Sequence, residues 1–383
     1  MPRARKKEAA PKAAEKDAIL DIINQASDAV ATKFKDPFAA QVAEVALMLP
    51  TIWASTGSLA LDALCCGKIP GGFPVGEQGR VIHLAGEWST GKSLILDHLF
   101  KSTIALGGFA LCSETEGSRD PHFARAIGLD LSRVVIQRPE TVEEMFDMGL
   151  AWHDEVRKAE RKARRPNAPI LWGMDSLDST ESNKSSETGL SEGGGWRFGG
   201  GRPEAFAAGL RKVVRRTVRY PTTLVMLNQT RENVGVMFGP KRRTPGGNPP
   251  HFYASLEIML TPGAKGRVRS KTRTMKMTAE QRKRFGLRAK EEGAVVGRWI
   301  KARISKTKIA PTMDQECEFY IDFGKGVDYM GGYLELLLRQ GQADMDGEKV
   351  ILFDSTTTGG KRTFASQAKF NDFIKKSLEE SMQ

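Results

Sequence analysis

The sequence predicts an α/β fold with a mostly parallel sheet flanked by helices. Short apolar runs of strand length recur along the middle of the chain, at 80–86, 109–113, 133–137, 170–175 and 222–228. Stretches with the apolar spacing of helices follow or separate these runs, at 91–107, 120–128, 141–161 and 203–219. Strands that alternate with helices favour a parallel sheet that is covered on both of its faces.

The regions on either side of this core have patterns of their own. Residues 14–49 have helical spacing and predict two short helices in a separate N-terminal element. Later strands are predicted over 252–262 and 297–323. Residues 333–383 predict a helix, a hairpin-like pair around 346–364 and a last helix. We therefore expect three parts, the last a small α+β domain: residues 1–49, 50–330 and 331–383.

The composition limits the class of protein. A chain with 40% hydrophobic and 27% charged residues is ordinary globular material. No apolar run approaches the ~18–20 residues of a membrane span, and the N-terminal segment lacks the apolar core of a secretory signal. The cysteines fit neither a disulfide framework nor a zinc pattern, which indicates reduced residues of a cytoplasmic protein: Cys65, Cys66, Cys112 and Cys317.

The positive charge is clustered. The formal net charge is +12, and residues 263–292 hold eleven Lys and Arg against three Glu. Further cation-rich runs lie at 157–165, 211–219 and 241–243. One such run is usually a solvated face, but several on one basic chain favour a polyanionic partner.

Residues 86–93, GEWSTGKS, have the spacing of a phosphate-binding loop between an apolar strand and an amphipathic helix. Gly86 and Gly91 allow the backbone to curl so that its N–H groups face phosphate oxygens. Lys92 would reach the β- and γ-phosphates, and the Ser93 hydroxyl would bind Mg²⁺. The intervening residues complete the cradle: Glu87, Trp88, Ser89 and Thr90.

Acidic residues follow two other predicted strands. Asp175 ends the run ILWGMD, where ligands gather in such sheets, and is the candidate second ligand of Mg²⁺. Asp178 is the weaker candidate. Glu114 and Glu116 end another strand, and alternation predicts that they share a face. The strand pattern alone does not decide which of the two would orient a water molecule.

A long irregular segment follows the run at 222–228. It reads LNQTRENVGVMFGPKRRTPGGN and places the apolar Val236-Met237-Phe238 next to Lys241-Arg242-Arg243. Loops of this length in a compact domain are usually functional or disordered. The pattern leaves two interpretations open, in which Phe238 either packs into the core or takes part in binding.

Several segments match one family in its order. ASTGSLALDAL precedes the phosphate loop, and TEGSRDPHFARAIGLDL follows it. LNQTR, VGVMFG and TPGGNPPHFYAS come next, followed by KTKIAPT and FGKGVDYMG. With these motifs the chain resembles the RecA-type DNA strand-exchange recombinases over residues 50–330. The resemblance implies a RecA-like P-loop ATPase core there and a role in polymerisation for residues 1–49.

The resemblance also implies roles for residues of the nucleotide site. Glu116, rather than Glu114, matches the glutamate that activates the attacking water. Gln229 matches the residue that senses the γ-phosphate. Asp120, Phe123 and Phe323 match residues that hold the adenine. Lys306 and Lys308 match a pair that reaches the ATP of the neighbouring subunit in a helical filament.

Two loops would contact DNA. In the segment after Gln229, three apolar side chains would wedge between bases: Val236, Met237 and Phe238. Four cations would bind phosphates: Arg231, Lys241, Arg242 and Arg243. Gly246 and Gly247 would let the backbone approach the strand closely. An earlier Gly-rich loop carries Trp196, Arg197 and Phe198, a cluster that suits stacking on bases. The basic stretch 263–292 is either a further DNA-contacting surface or a solvated insertion.

The implied activity is that of an ATP-dependent recombinase. It would form a filament on single-stranded DNA, pair it with homologous duplex and exchange strands, with DNA-dependent hydrolysis of ATP and with Mg²⁺ as cofactor. Its partners would be single-stranded and double-stranded DNA and further copies of itself, with no membrane. It would work in the bacterial cytoplasm and nucleoid or, for a phage-encoded protein, in the host cytoplasm.

Two other functions use parts of the same pattern. A hexameric helicase of the same core fold would also carry the phosphate loop and Asp175, but it has no reason for the loop after Gln229 or for the Lys306 and Lys308 pair. A DNA-coating protein with a degenerate ATP site is disfavoured by the intact set Lys92, Ser93, Glu116 and Asp175.

Overall fold

The computed structural model describes residues 13–35, 41, 51–117, 119–183, 201–232, 242–243, 246–269, 295–354 and 360–381. The chain divides into two compact units, Met1–Leu49 and Pro50–Gln383. In the first unit, α1 is one continuous helix over Ala13–Phe34. The first of the two helices predicted over 14–49 is present as α1. The second predicted helix falls on residues outside the described part of the chain, apart from residue 41.

The second unit contains the strands and the other described helices. The helices are α2 Leu59–Cys66, α3 Lys92–Ala105, α4 Pro121–Ala126, α5 Val142–Lys162, α6 Arg202–Arg219, α7 Pro249–Tyr253, α8 Tyr333–Arg339 and α9 Gln367–Ser381. The strands are β1 Trp53–Ala54, β2 Phe73–Pro74, β3 Val81–Gly86, β4 Phe109–Glu114, β5 Val134–Gln137, β6 Ile170–Asp175, β7 Thr222–Gln229, β8 Arg231–Glu232, β9 Arg242–Arg243, β10 Leu256–Arg269, β11 Val295–Thr307, β12 Glu316–Asp322, β13 Gly326–Val327, β14 Ala343–Asp346, β15 Lys349–Phe353 and β16 Lys361–Phe364.

A large sheet organises this unit. Within the described residues, nine strands follow the order β13-β12-β11-β10-β3-β7-β6-β4-β5. The strands from β10 to β5 in that order pair in parallel, and β10 to β13 continue the sheet with antiparallel pairings. The predicted mostly parallel sheet flanked by helices is confirmed. The carboxyl ends of β3, β4, β6 and β7 therefore lie along one edge of the sheet.

The two faces of the sheet are covered by different helices. Successive side chains of a strand point to opposite faces. On β7, Val225 and Leu227 belong to the core cluster that includes α2 and α3, whereas Leu224 and Met226 belong to the cluster that includes α5 and α6. We call these the α3 face and the α5 face. Because both faces are covered, β3 and β6 are buried at every position, which explains their continuous apolar runs.

Helix α5 shows how local sequence sets an element. Its N-cap Thr141 accepts a hydrogen bond from the backbone N–H of Glu144, and the Glu144 carboxylate accepts one from the N–H of Glu140. The two hydrogen bonds satisfy the N–H of Glu144 in the first turn and that of Glu140 just before the helix. Near its end, Arg157 is buried and donates to Glu160 and to the carbonyl oxygen of Ala168. The run 157–165 is thus partly structural and not wholly a solvated or DNA-contacting face.

Some element boundaries differ from the sequence prediction. The strand predicted over 252–262 begins at Leu256, since residues 249–253 form the short helix α7. It continues to Arg269, so the start of the basic stretch 263–292 is strand paired with β11. The C-terminal hairpin is a three-stranded sheet, β14-β15-β16. Among the described helices, none has the length and apolar composition required to cross a membrane. The four cysteines are buried and free.

Candidate functional site

The loop over residues 86–93 connects β3 to α3. Helix α3 begins at Lys92, and its N-cap Gly91 has a φ of +81°. A Cβ at Gly91 would also overlap the side chain of Ile321 on β12, so backbone geometry and packing both require glycine. Ser89 has a φ of +55°, and its carbonyl oxygen accepts a hydrogen bond of 2.9 Å from Arg298. The loop is therefore held by the antiparallel part of the sheet.

The side chains of the loop differ in exposure. Lys92 is buried, and its Nζ donates to the carbonyl oxygens of Gly86 at 3.1 Å and Glu87 at 2.8 Å. Burial lowers the pKa of Lys92, an effect that Asp175 and Glu116 oppose. The buried Thr90 hydroxyl also donates to the carbonyl oxygen of Glu87, whereas Trp88 is 74% exposed. The cationic side chain thus lies against the loop whose backbone would bind phosphate.

Asp175 ends β6 beside this loop. The Ser93 side chain is close enough to the Asp175 carboxylate to favour its charged form, so the two predicted magnesium ligands are neighbours. Burial raises the pKa of Asp175, opposed by the guanidinium of Arg119, whose Nη1 lies 3.8 Å from Oδ2. Arg119 also pairs with Asp97 of α3 and donates to the Cys112 sulfur. The sequence analysis missed Arg119, because no motif marks an arginine at that position.

Glu116 and Gln229 meet at the same edge of the sheet. The Oε1 atom of Glu116 accepts a hydrogen bond of 2.5 Å from the Ser176 hydroxyl and one of 3.3 Å from the Gln229 amide. Glu114, by contrast, is buried with its carboxylate 3.8 Å from Arg138. Because β4 ends at Glu114, the predicted shared face does not extend to Glu116. The two glutamates have different environments, and Glu116 is the exposed one.

The residues predicted to hold adenine lie on two neighbouring segments. Asp120 is the N-cap of α4 and accepts from the N–H of His122 at 2.8 Å. Phe123 is half-buried on the same helix. Phe323 is 50% exposed and follows β12. The next strand, β13, lies against this helix region, since a Cβ at Gly326 would be only 2.7 Å from the side chain of Ile127.

The predicted lysine pair lies at the end of β11, with Lys306 inside the strand and Lys308 just after it. Lys306 donates to the carbonyl oxygens of His251 at 2.6 Å and Phe252 at 3.0 Å, at the end of α7. Burial lowers the pKa of Lys306, and the neighbouring Lys308 adds to this effect. Lys308 itself is exposed. Within one chain, the Lys306 ammonium is thus directed at α7.

The predicted DNA loops are described only at their edges. Residues Trp196, Arg197, Phe198, Val236, Met237, Phe238 and Lys241 lie outside the described residues, as does the basic stretch from 270 to 294. The backbones of β8 and β9 pair, with Arg231 opposite Arg243 and Glu232 opposite Arg242. Gly246 and Gly247 have positive φ angles of 92° and 69°. The chain therefore leaves Gln229, returns antiparallel through Arg242 and Arg243, and enters α7.

A second polar cluster lies on the other face of the sheet. We call His83, His251 and Glu257 the histidine cluster. Glu257 Oε2 is 2.8 Å from Nδ1 of His251 and 3.5 Å from Nδ1 of His83. Burial alone would raise the pKa of Glu257, but its hydrogen bond with His251 and the neighbouring ring of His83 hold it well below its usual range. The sequence analysis missed this cluster, because its members are scattered along the chain without motif spacing.

Comparison with known proteins defines the family. A family model, the RecA N-terminal domain, matches residues 23–151 and 200–283. The chain belongs to the RecA family. Its similarity to curated relatives, each named Protein RecA, is moderate and extends over most of the chain. The relative from Ruminococcus albus is 28% identical over 73% of this chain and 59% of its own length; that from Rubrobacter xylanophilus is 29% identical over 76% and 72%; that from Pseudarthrobacter chlorophenolicus is 30% identical over 75% and 68%.

The RecA family implies ATP and Mg²⁺, and the described residues fit both groups. A Cβ at Gly86 would lie 2.7 Å from the carbonyl oxygen of Leu260, so the start of the loop also requires glycine. Ser93 and Asp175 offer adjacent oxygen donors of the kind that Mg²⁺ prefers. Lys92 supplies a cation at the start of α3, where the helix dipole also favours anions.

Proposed function

We propose that this RecA-family chain is an ATP-dependent DNA recombinase. It forms a helical filament on single-stranded DNA, pairs that strand with homologous duplex and exchanges strands. The observation that carries the proposal is the convergence of Lys92, Asp175, Glu116 and Gln229 at one edge of the sheet. From Gln229 the chain passes directly into the β8–β9 pair, which contains three arginines. Family membership supports the same function.

The phosphate loop would bind the nucleotide. Its backbone N–H groups and Lys92 bind phosphate oxygens, and the ammonium gives up its two carbonyl contacts within the loop to do so. Ser93 and Asp175 would hold Mg²⁺, which when bound neutralises charge on the phosphates. Asp120, Phe123 and Phe323 would hold the adenine. Arg119 reduces the repulsion between Asp175 and its acidic neighbours before the metal arrives.

Glu116 would act as the general base in hydrolysis. Its carboxylate oxygen Oε1 accepts hydrogen bonds from Ser176 and Gln229, and these bonds orient the group at the open edge of the sheet. There the carboxylate accepts a proton from the attacking water. Glu114 cannot readily take this role, because it is buried beside Arg138.

Gln229 would couple the nucleotide to DNA. The γ-phosphate attracts the Gln229 amide, whose movement is passed to the chain that begins at residue 230. An ordered loop then presents its apolar side chains to the bases and its cations to the phosphates. The DNA contacts in this proposal are those expected from the sequence: Trp196, Arg197, Phe198, Arg231, Val236, Met237, Phe238, Lys241, Arg242, Arg243, Gly246 and Gly247.

Assembly would place each nucleotide between subunits. Lys306 and Lys308 reach the ATP bound by the adjacent copy, and residues 1–49 join neighbouring copies. A head-to-tail interface of this kind builds an open helix unless its rotation closes a ring. The C-terminal residues 331–383 form a small domain beside the core, and the protein works in the cytoplasm.

A strand-invasion assay tests the proposal. Wild-type protein, ATP and Mg²⁺ should join a single strand to homologous supercoiled duplex in a D-loop. Lys92→Ala should abolish the product, because it removes the cation for the phosphates. Lys376→Ala is the matched control, since Lys376 is an exposed lysine on α9, outside the cation-rich runs, that forms a surface pair with Glu380. Failure of the wild-type protein to form D-loops would contradict recombinase activity.

Electron microscopy separates the recombinase from the helicase alternative. With single-stranded DNA and a non-hydrolysable ATP analogue, a recombinase should form extended helical filaments. Closed rings under the same conditions would support a hexameric motor of the same core fold instead.

A further inference from the structure

The histidine cluster has the donor set and spacing of a metal site. His83 and His251 each offer a ring nitrogen and Glu257 offers a carboxylate oxygen, and these three ligand atoms lie within 4.8 Å of one another. Ligand atoms around a tetrahedral zinc ion are about 3.3 Å apart when the metal–ligand bonds are about 2.0–2.1 Å. The distances of 2.8 Å and 3.5 Å from Glu257 Oε2 to the two nitrogens bracket this value.

One of the three candidate ligand atoms, Nδ1 of His83, lacks a good hydrogen bond within the described part of the protein. His83 is fully buried, and its Nδ1 has no hydrogen-bond partner with good geometry among the described residues. A buried polar atom without such a partner costs free energy. Its nearest acceptor is the carboxylate oxygen of Glu257, 3.5 Å away. The atom is therefore aimed into the space between the three side chains, where an ion would sit.

The surrounding residues could orient the ligands. The Asn228 amide lies 3.3 Å from Nε2 of His83, and a flipped amide would accept a hydrogen bond from that nitrogen when Nδ1 binds metal. The Ser305 hydroxyl donates to the other oxygen of Glu257 at 3.0 Å. Lys306 fixes the backbone of His251 through its carbonyl oxygen. Such outer contacts are what histidine and carboxylate ligands normally have in metal sites.

We propose that His83, His251 and Glu257 bind one divalent transition-metal ion of the zinc class, with water in the remaining position. Two imidazoles and one carboxylate suit Zn²⁺ and Co²⁺ better than Mg²⁺, which prefers oxygen ligands. The site is therefore distinct from the magnesium ligands Ser93 and Asp175. It lies on the α5 face, whereas the phosphate loop leads into α3 on the opposite face.

The position of the site gives the ion a structural consequence. His83 lies on β3 and Glu257 on the adjacent β10, while His251 lies on α7. A bound ion would fasten α7 to the sheet. Because α7 follows Gly246 and Gly247, the ion would fix the point at which the segment after Gln229 re-enters the core.

Cobalt titration of the untagged full chain tests this proposal directly. In buffer without Mg²⁺ or nucleotide, one equivalent of Co²⁺ should give the visible absorption of a low-coordinate cobalt site, and Zn²⁺ should remove it. His251→Gln should weaken Co²⁺ binding by at least about 10–100-fold, the range found even for loss of an outer-shell partner. Its side chain is 38% exposed, so the variant should fold.

Two further variants complete the test. Glu257→Gln retains the shape of the side chain and should also lose cobalt binding. His122→Gln removes an exposed imidazole on α4 and should leave it unchanged. Zn²⁺ should raise the melting temperature of the wild type and His122→Gln but not of His251→Gln. No saturable cobalt spectrum, or equal binding by His251→Gln, would overturn the metal site; destabilisation of His251→Gln alone would indicate a hydrogen-bonded triad without metal.

Discussion

Two polar clusters flank the carboxyl end of β7: the open cluster, which is Asp175, Glu116 and Gln229, and the closed cluster, which is the histidine cluster. Gln229 points to the open edge, where Glu116 and Ser93 are exposed. Asn228, one residue earlier, is fully buried and points to His83 in the histidine cluster. Because consecutive strand residues face opposite sides, one peptide bond separates a side chain available to a ligand from one enclosed in the core.

The difference extends to the electrostatics. In the open cluster, burial raises the pKa of Asp175, and the nearby Arg119 and Ser93 only partly oppose it. In the histidine cluster, the interactions of Glu257 with both histidines outweigh burial and hold its pKa far below its usual range. The open cluster thus retains unfavourable charge that a magnesium ion would relieve, whereas in the closed cluster the two histidines already stabilise the negative charge of Glu257. We therefore expect changes in the open cluster to alter activity and changes in the closed cluster to alter stability.

The largest expected effect is on hydrolysis. Glu116→Gln should lower DNA-dependent ATP hydrolysis by about 10²–10⁴-fold, because it removes the base but keeps the size of the side chain. ATP-dependent binding to single-stranded DNA should remain. Steady-state phosphate release and DNA-binding titrations measure the two properties. Glu114→Gln is the matched control, and a greater loss of hydrolysis in that variant would reverse the roles of the two glutamates.

A half-buried histidine away from both clusters provides a separate test of how burial changes the charge of a side chain. Burial lowers the pKa of His98 to about 4, and the charged neighbour Lys101 adds to the effect. Its Nε2 accepts from the N–H of Val327 at 3.3 Å, as a neutral imidazole does. As pH falls below 6.5, the unfolded chain binds the proton first, so stability should decrease by up to about 3 kcal/mol near pH 4.

The measurement compares wild type with His98→Asn by chemical unfolding between pH 7 and pH 4. The variant lacks the titrating group, so the difference in unfolding free energy between the two proteins should change over this range. Parallel pH profiles would show that His98 keeps an ordinary pKa in the folded state.

The comparison across β7 predicts separate outcomes for its last two residues. Gln229→Ala should remove the increase in single-stranded DNA affinity that ATP produces, an effect of about 1–3 kcal/mol for typical coupled sites. Nucleotide binding itself should persist. Fluorescence anisotropy with and without an ATP analogue measures the coupling. Unchanged nucleotide-dependent affinity would remove Gln229 from the proposed connection between the two ligands.

Asn228→Ala is the companion to that experiment. It should lower the free energy of unfolding by about 1–3 kcal/mol, because it breaks a buried contact to His83. The ratio of DNA affinities with and without the nucleotide analogue should be retained. Loss of that ratio in Asn228→Ala would show that the two clusters act as one unit.

The smallest expected effect concerns the metal-free histidine cluster. Glu257→Gln should cost about 1–2 kcal/mol of unfolding free energy, because a neutral amide replaces the charged acceptor shared by two histidines. Urea unfolding in the presence of a chelator measures it. Glu155→Gln, which affects only an exposed pair with Lys158, should change stability by less than about 0.5 kcal/mol. Equal effects of the two substitutions would contradict a closed cluster.

Much of the main sheet could be predicted because its strands are contiguous apolar runs, but some boundaries depended on neighbours. Residues 252–255 continue an apolar pattern, yet Pro249 and Pro250 begin a short helix that delays β10 until Leu256. The strand then runs on through polar residues 263–269, because β11 offers it pairing partners. The local sequence of a strand does not show where its partner strand will lie, so it cannot fix where the pairing ends.

The sequence by itself determined the glycine-rich loop over 86–93, most of the alternating strands and helices of the core, and the acids at or just after the strand ends, because each depends on residues adjacent in the chain. Only the tertiary structure decided that Gln229 touches Glu116, that Arg119 lies beside Asp175, and that His83 meets His251 and Glu257. Those contacts join side chains that are distant in sequence. The pairing of β3 with β7 and β10, together with the alternation of side chains across the sheet, brings them within reach of one another.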